Sequence, residues 1–320
     1  LALAKYNLED CKLVWDIFEK EKLIDFAIER SLLTGLELDR AGGSVAAMDF
    51  LYLPRLHRQG YVAPAMDQLE SSNISPGGYV MNSIPGIHRN VIVLDFKSLY
   101  PSIIRTFNID PLAMVKGLDV ENPIIGFDGG RFSRTDSILP ELITTLWAAR
   151  DRAKLANNKA LSQAIKIIMN SFYGVLGTLG CRFFDSRLVS SITKRGHEII
   201  IQSKVYIESK GYQVIYGDTD SVFVLLSNID DDEVAKIGNE LSSELNIWWR
   251  DKLRQEQGIK SHLEIQFETH YRKFFMPTIR GSDAGSKKRY AGLVGSDKLV
   301  FKGLESVRSD WSPLARDFQR

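Results

Sequence analysis

Three aspartates stand where apolar segments end. Asp95 closes the β-branched run VIVLD, and Asp218 and Asp220 lie in YGDTDS, between the apolar stretches QVI and VFV. On an extended backbone, residues two apart point to the same face, so Asp218 and Asp220 would present their carboxylates together. Two carboxylates about 4 Å apart repel by roughly 4 kcal/mol at the effective dielectric of a protein surface, so such a cluster calls for a proton or a cation. Hard divalent cations take oxygen ligands. Mg²⁺ typically accepts one or two carboxylates and completes its octahedron with water and substrate phosphates. Two such ions about 3.5–4 Å apart can hold both the attacking and the leaving oxygen of an in-line phosphoryl displacement. The alternative reading of Asp-Thr-Asp is turn chemistry, because aspartate favours turns through bonds to its own backbone.

A complementary set of cations lies between these acids in the chain. Arg150 and Lys154 are four apart, hence on one face of a helix; Lys166, Asn170 and Tyr173 are four and then three apart, hence on one face of another. Cations gathered at one groove repel unless an anion sits among them, and a triphosphate is such an anion. A solvated helix face is the alternative. A second basic tract runs from Tyr271 to Arg308, with nine Lys or Arg against three acids, inside a chain whose overall net charge is only +1. This is the electrostatic footprint of a polyanion partner.

The elements that must position these groups follow from periodicity and punctuation. The spacing predicts helix through residues 1 to about 45, then loop and short strand over 60–90, where Pro64, Pro76, Gly77, Gly78, Pro85 and Gly86 cluster. VIVLDF over 91–96 reads as a strand. SLYPSIIRTF reads as the helix after it, with Pro101 tolerated in a first turn whose N–H has no intrahelical partner. Residues 139–157 and 161–176 form an antiparallel helical hairpin joined through NNKA. A helix over 190–211 ends at Gly211, the YGDTDS hairpin follows, and EVAKIGNELSSELNIWWRDKL is a further amphipathic helix. LEIQFETHYRKFFMPTI, KKRYAGLV and KLVFKGLE read as strands. The fold class expected is α+β: an antiparallel sheet with packed helices and an inserted antiparallel helical hairpin.

At 320 residues, with ordinary apolar and charged fractions, the chain is neither disordered nor membrane-embedded in composition. No apolar run nears the roughly 18 residues of a membrane span and the first residues lack a signal peptide's pattern, so a cytoplasmic location is expected. The chain opens on Leu1 inside a helical pattern and reads as part of something longer. Cys11 and Cys181 are isolated in sequence and are expected to be small buried residues rather than disulfide or zinc partners.

DFKSLYPSI (95–103), KIIMNSFYG (166–174), YGDTDS (216–221) and KKRY (287–290) resemble, in order and spacing, the first palm, fingers, second palm and duplex-contacting motifs of family B DNA polymerases. The intervening text, such as GVLGTLGCRFFD and FKGLESVRSDWSPLA, is similar to a bacterial branch of that family, and the resemblance covers essentially the whole chain. It implies that residues 1–45 are the end of a 3′–5′ exonuclease domain, 46–136 the first part of the palm, 137–178 the fingers hairpin and 179–320 the second part of the palm. It implies DNA-templated DNA synthesis: transfer of a dNTP nucleotidyl group to a primer 3′-hydroxyl with release of pyrophosphate. Two Mg²⁺ ions, with Mn²⁺ as a substitute, would be held by Asp95, Asp220 and the Phe96 carbonyl, while Asp218 has a less uniform role in the family. Arg150, Lys154, Lys166 and Asn170, with the amides of Ser98 and Leu99, would grip the triphosphate. Tyr100 would lie under the sugar and exclude a 2′-hydroxyl. Lys287, Lys288, Arg289 and Tyr290 would follow the primer–template backbone. Tyr6 and Asp10 match a proofreading motif whose other acids lie before residue 1, and the thumb would follow residue 320, so the chain alone is expected to bind primer–template weakly and extend it poorly. A sliding clamp, engaged through segments outside this chain, and a place at the nucleoid are further implications. The reading from another class is a non-catalytic nucleic-acid-binding module.

Overall fold

A computed structural model describes residues 2–40, 42–65, 77–227, 229–279 and 281–319. In chain order its helices and strands are α1 (Ala2–Lys20), α2 (Leu23–Thr34), α3 (Ser44–Arg58), β1 (Gly86–Phe96), α4 (Leu99–Thr106), α5 (Pro111–Lys116), β2 (Ile124–Ile125), β3 (Arg131–Phe132), α6 (Leu139–Leu155), α7 (Lys159–Leu176), α8 (Ser186–Ser209), β4 (Gln213–Asp218), β5 (Ser221–Leu225), α9 (Asp231–Gln257), β6 (Ile265–Met276), β7 (Tyr290–Val294), β8 (Lys298–Lys302) and α10 (Pro313–Gln319). The α+β expectation holds. The chain divides into two compact units, one of Leu1–Ser75 and Phe107–Val189, the other of Pro76–Thr106 and Ser190–Arg320. No helix among the described residues is long and apolar enough to cross a membrane.

The first unit is helical. α6 and α7 pack together as the expected hairpin, and α7 also packs on α2 and α3. The hairpin's turn is set by Asn158, whose side chain accepts from the Leu161 N–H at 2.9 Å and caps α7. Its amide also donates to Glu29 of α2 at 2.9 Å, tying the tip of the hairpin to that helix. The apolar residues Ala164, Ile165, Ile168, Met169, Phe172 and Val175 recur at spacings of three and four along α7 and are all buried. α1, by contrast, buries none of its residues. Cys11 therefore departs from the sequence expectation: it lies exposed on that helix, whereas Cys181 is buried and burial pushes its thiol up to about 11.

The second unit is built on a six-stranded antiparallel sheet in the order β4-β5-β1-β6-β7-β8. β1 is central and its run from Val91 to Leu94 is fully enclosed, which is why that stretch is continuously apolar rather than alternating. α9 lies on β6 and β1, and Gly238 permits the close approach: a Cβ there would stand 2.8 Å from the Phe267 ring. An aromatic cluster of Tyr216, Phe223, Tyr271 and Phe274, joined by Tyr290, fills the sheet's core.

Candidate active site

The sheet register decides which acids meet. Ser221 at the start of β5 pairs with Asp218 of β4 on one side and with Asp95 of β1 on the other. Asp218 and Asp95 are thus two strands apart, about 10 Å at the usual strand spacing. Asp220 lies nearer to Asp95, because its carbonyl accepts from the N–H of Phe96 at 2.8 Å. The two aspartates of YGDTDS are therefore not equivalent. One belongs with Asp95 and the other stands apart.

Their partners differ accordingly. The Asp218 carboxylate lies 3.4 Å from Lys288 Nζ, accepts from Thr219 Oγ1 at 3.0 Å and is approached by the Tyr216 hydroxyl at 3.5 Å. Asp95 and Asp220 make no ion pair among the described residues. Burial, then the charge of Asp220, then that of Glu268 raise the Asp95 carboxyl from an ordinary 3.8 to about 7. Asp220 is raised too, first by burial and then by Asp218 and Glu268; its own backbone N–H and the positive charge of Lys302 oppose this. Sequence reasoning missed both Glu268 and Lys302. Glu268 is the residue left over where the β1–β6 register steps from Val93↔Thr269 to Leu94↔Phe267, and such a bulge re-aims a side chain without any compositional mark. Lys302 stands opposite Tyr290 in the β7–β8 pair.

The donor set fits a hard divalent cation. Two half-buried carboxylates with no ion pair among the described residues, Asp95 raised first by burial and then by the charge of Asp220, are the number Mg²⁺ ordinarily takes from a protein. Among the described residues no cage of three or more His, Cys, Asp or Glu side chains forms, so remaining ligands would be carbonyls, waters and substrate oxygens. A consequence can be read without activity. An acid whose folded pKa is raised favours folding below its unfolded pKa and loses that contribution as pH rises through the folded value. In chelator, the thermal midpoint of the chain is expected to fall relative to Asp95→Asn between about pH 4 and 7, and Mg²⁺ to restore it more at pH 8 than at pH 6. Parallel midpoints for the two proteins across that range would count against the cluster.

The turn holding Asp220 is under local constraint. Thr219 has φ +56, a left-handed conformation that a β-branched residue seldom adopts. A strap over residues 77–84 secures it along β4. Thr219 N–H donates to the Tyr79 carbonyl at 2.7 Å, and Met81 and Ile84 N–H donate to the carbonyls of Gly217 and Ile215, each at 2.9 Å. Gly78 packs so closely that a Cβ there would lie 2.5 Å from Thr219 Oγ1. That strap coincides with the Pro/Gly-rich stretch expected as loop and short strand.

β1 hands over to α4 through Ser98, which has φ +49 and whose carbonyl accepts from Ser102 N–H at 3.0 Å. The amides of Ser98 and Leu99 thus lie at the start of α4, where N–H groups lack intrahelical partners. Tyr100 lies against α8, with its Cε1 3.4 Å from the position a Cβ would take on Gly196. Phe96 is buried at the strand's end.

In the first unit, the expected phosphate-gripping residues sit on α6 and α7 as periodicity required. Lys154, Lys166 and Asn170 are exposed, while Arg150 is half-buried with its Nε enclosed and unpartnered. None of the three cations has a carboxylate partner among the described residues. The KKRY segment is more engaged than its charge suggests. Lys287 is exposed, Lys288 pairs with Asp218, Arg289 pairs with Glu305 and the Tyr290 ring packs into the aromatic core. Tyr6 and Asp10 lie on exposed α1.

Residues 41–320 match the profile of DNA polymerase family B, and the chain belongs to that family. It is 56% identical to DNA polymerase II of Escherichia coli K12 over all of this chain and 41% of that protein. It is 30% identical to the DNA polymerase of Archaeoglobus fulgidus over all of this chain and 42% of that protein, and 28% identical to that of Thermococcus gorgonarius over 99% and 41%. The chain spans about two fifths of the length of these curated relatives.

Proposed function

We propose that this chain supplies the metal-binding acids and the nucleotide-gripping helices of a DNA-templated DNA polymerase. The observation that carries the reading is the adjacency of Asp95 and Asp220 at the end of the central strands, with neither in an ion pair among the described residues. Asp95, Asp220 and the Phe96 carbonyl would hold two Mg²⁺ ions, or Mn²⁺ in their place. Bound there, the ions would acidify a primer 3′-hydroxyl and neutralise the leaving pyrophosphate. Asp218, already paired with Lys288, supports the turn that presents Asp220 and is secondary to the other two acids.

Arg150, Lys154, Lys166 and Asn170 grip the dNTP triphosphate, with the Ser98 and Leu99 amides assisting. Tyr100 closes the space beneath the sugar. Lys287 makes no ion pair among the described residues, and we assign it to the primer–template backbone together with Lys288 and Arg289; Tyr290 anchors that segment from within the core. Tyr6 and Asp10 belong, on this reading, to a proofreading exonuclease of the longer protein. The divisions at 45, 136 and 178 remain our assignment of exonuclease, palm and fingers. The two compact units cut across them, because α2 and α3 pack with the α6–α7 hairpin.

The test is primer extension by the full-length protein on a labelled primer–template with Mg²⁺ and dNTPs. Extension with pyrophosphate release is expected, chelator should abolish it and Mn²⁺ should restore it. Duplex binding without extension under all these conditions would instead favour a non-catalytic binding module.

A further inference from the structure

A single buried charge ties the α6–α7 hairpin to the helices around it. Asp110 is 0% exposed and all four of its neighbours donate to it. Ala113 N–H reaches Oδ1 at 2.8 Å; Leu139 N–H, the Tyr52 hydroxyl and Ile138 N–H reach Oδ2 at 2.8, 2.9 and 3.2 Å. Four donors and no acceptor suit a carboxylate. Burial raises its affinity for a proton and these hydrogen bonds oppose the rise. Ala113 lies in the first turn of α5, and residues 138 and 139 open α6. One carboxylate therefore caps two helix N-termini, where its charge also meets the favourable end of each dipole.

The second of these caps is unusual in its origin. Ile138, at the N-cap position of α6, offers no side-chain acceptor, so α6 takes its cap from a residue 28 positions upstream. Tyr52 of α3, itself 0% exposed, completes the joint: its hydroxyl donates to Asp110 and accepts from Leu112 N–H at 3.2 Å. α3, α5 and α6 are thereby held at one point. Arg150 lies eleven residues along α6 from Leu139, a lever of roughly 17 Å at 1.5 Å per residue. A tilt of about 5° at the base would move that guanidinium by about 1.5 Å, enough to take it out of hydrogen-bond reach of a bound phosphate.

We infer that Asp110 and Tyr52 are positioning residues that set the direction of α6 and so the placement of Arg150 and Lys154 on the incoming triphosphate. The inference rests on the triphosphate-gripping role proposed above for α6. The acids that would hold metal belong to other elements. Loss of the joint therefore weakens nucleotide capture rather than the chemical step or duplex binding, which is a rise in KM with kcat kept.

The experiment compares Asp110→Asn, Tyr52→Phe and Arg150→Ala in the full-length protein, measuring dNTP KM, kcat and primer–template affinity well below each variant's melting point. Asn keeps one acceptor oxygen but turns an amide toward a donor; Phe removes only the hydroxyl. Asp110→Asn is expected to raise KM on the order of tenfold and Tyr52→Phe by a few-fold, with kcat and duplex affinity within about twofold of wild type. If Arg150→Ala leaves KM unchanged, the gripping role itself fails. If Arg150→Ala raises KM and the two joint variants, still folded, do not, the positioning inference is overturned. Should Asp110→Asn fail to fold, Tyr52→Phe decides alone: an unchanged KM, or a kcat and duplex affinity that fall with it, overturns the inference.

Discussion

Asp220→Asn is expected to lower primer extension by the full-length protein on the order of 10³-fold or more while the folded protein melts higher than wild type. The two effects have one cause. Asp95 and Asp220 are half-buried acids whose charges disfavour one another, and Glu268 adds to the repulsion at both. Removing the Asp220 charge relieves that strain and lets Asp95 ionise nearer its ordinary range, so folding gains where metal binding loses. A catalytic site maintained at the expense of stability is the common pattern. The companion measurement is duplex affinity, expected to survive because the basic segment around Lys287 is untouched. Retained extension would remove Asp220 from the metal site, and a lower melting point would mean that its carboxylate is a structural turn residue after all. Asp218→Asn separates the two acids: it breaks the pairing with Lys288 and should cost activity far less than Asp220→Asn.

The second large effect is expected at Tyr100. Replacing it with Ala should reduce discrimination against ribonucleotides on the order of 10²-fold, with dNTP incorporation much less affected. Exclusion by a side chain works only if that side chain cannot retreat. Tyr100 is the second residue of α4, and behind it stands Gly196 of α8, with Leu99, Ile103 and the Tyr100 ring all within 4 Å of where its Cβ would be. The helices are close there, so on the proposed reading α8 backs the ring on the side away from the sugar. Tyr100→Phe should keep the discrimination, since it keeps the ring. Competition between a dNTP and the matching rNTP in single-nucleotide extension measures the ratio. Unchanged ribonucleotide use in Tyr100→Ala would point to a polymerase that does not select its sugar through this residue.

Much of this was legible in the sequence wherever the signal is local. The strand ending in Asp95, the helix after it, the two-armed YGDTDS hairpin and the α6–α7 pair follow from periodicity and from Pro and Gly placement, and their chemistry-bearing faces follow from spacing. What was not legible depends on register or on distant packing. Nothing in YGDTDS says which aspartate is Asp95's neighbour; that is decided when Ser221 pairs with β4 on one side and β1 on the other. Glu268 enters through a bulge, and Tyr290 turns inward although it follows three cations. α3 runs mostly through residues 46–58, which carried no helix expectation, and it keeps Pro54, a residue that ordinarily ends a helix, inside it. Asp110 before Pro111 is a local cap signal, but its service to α6 is a tertiary fact.

The central position of β1 also governs how the site comes into being during synthesis. Its partners on either side, β5 and β6, meet it at Asp95↔Ser221 and Phe96↔Ile265, so the later of them leaves the ribosome about 170 residues after β1 does. At about 5–20 residues per second, roughly 10–30 s pass before Val91–Leu94 can have a neighbour on both sides, β5 being available first. Pairings this distant in sequence are slow to close even on a finished chain. A nascent chain halted before β6 would have the residues that pair Asp95 with β5 but would leave the other edge of β1 open, and an apolar edge of that kind is a template for aggregation.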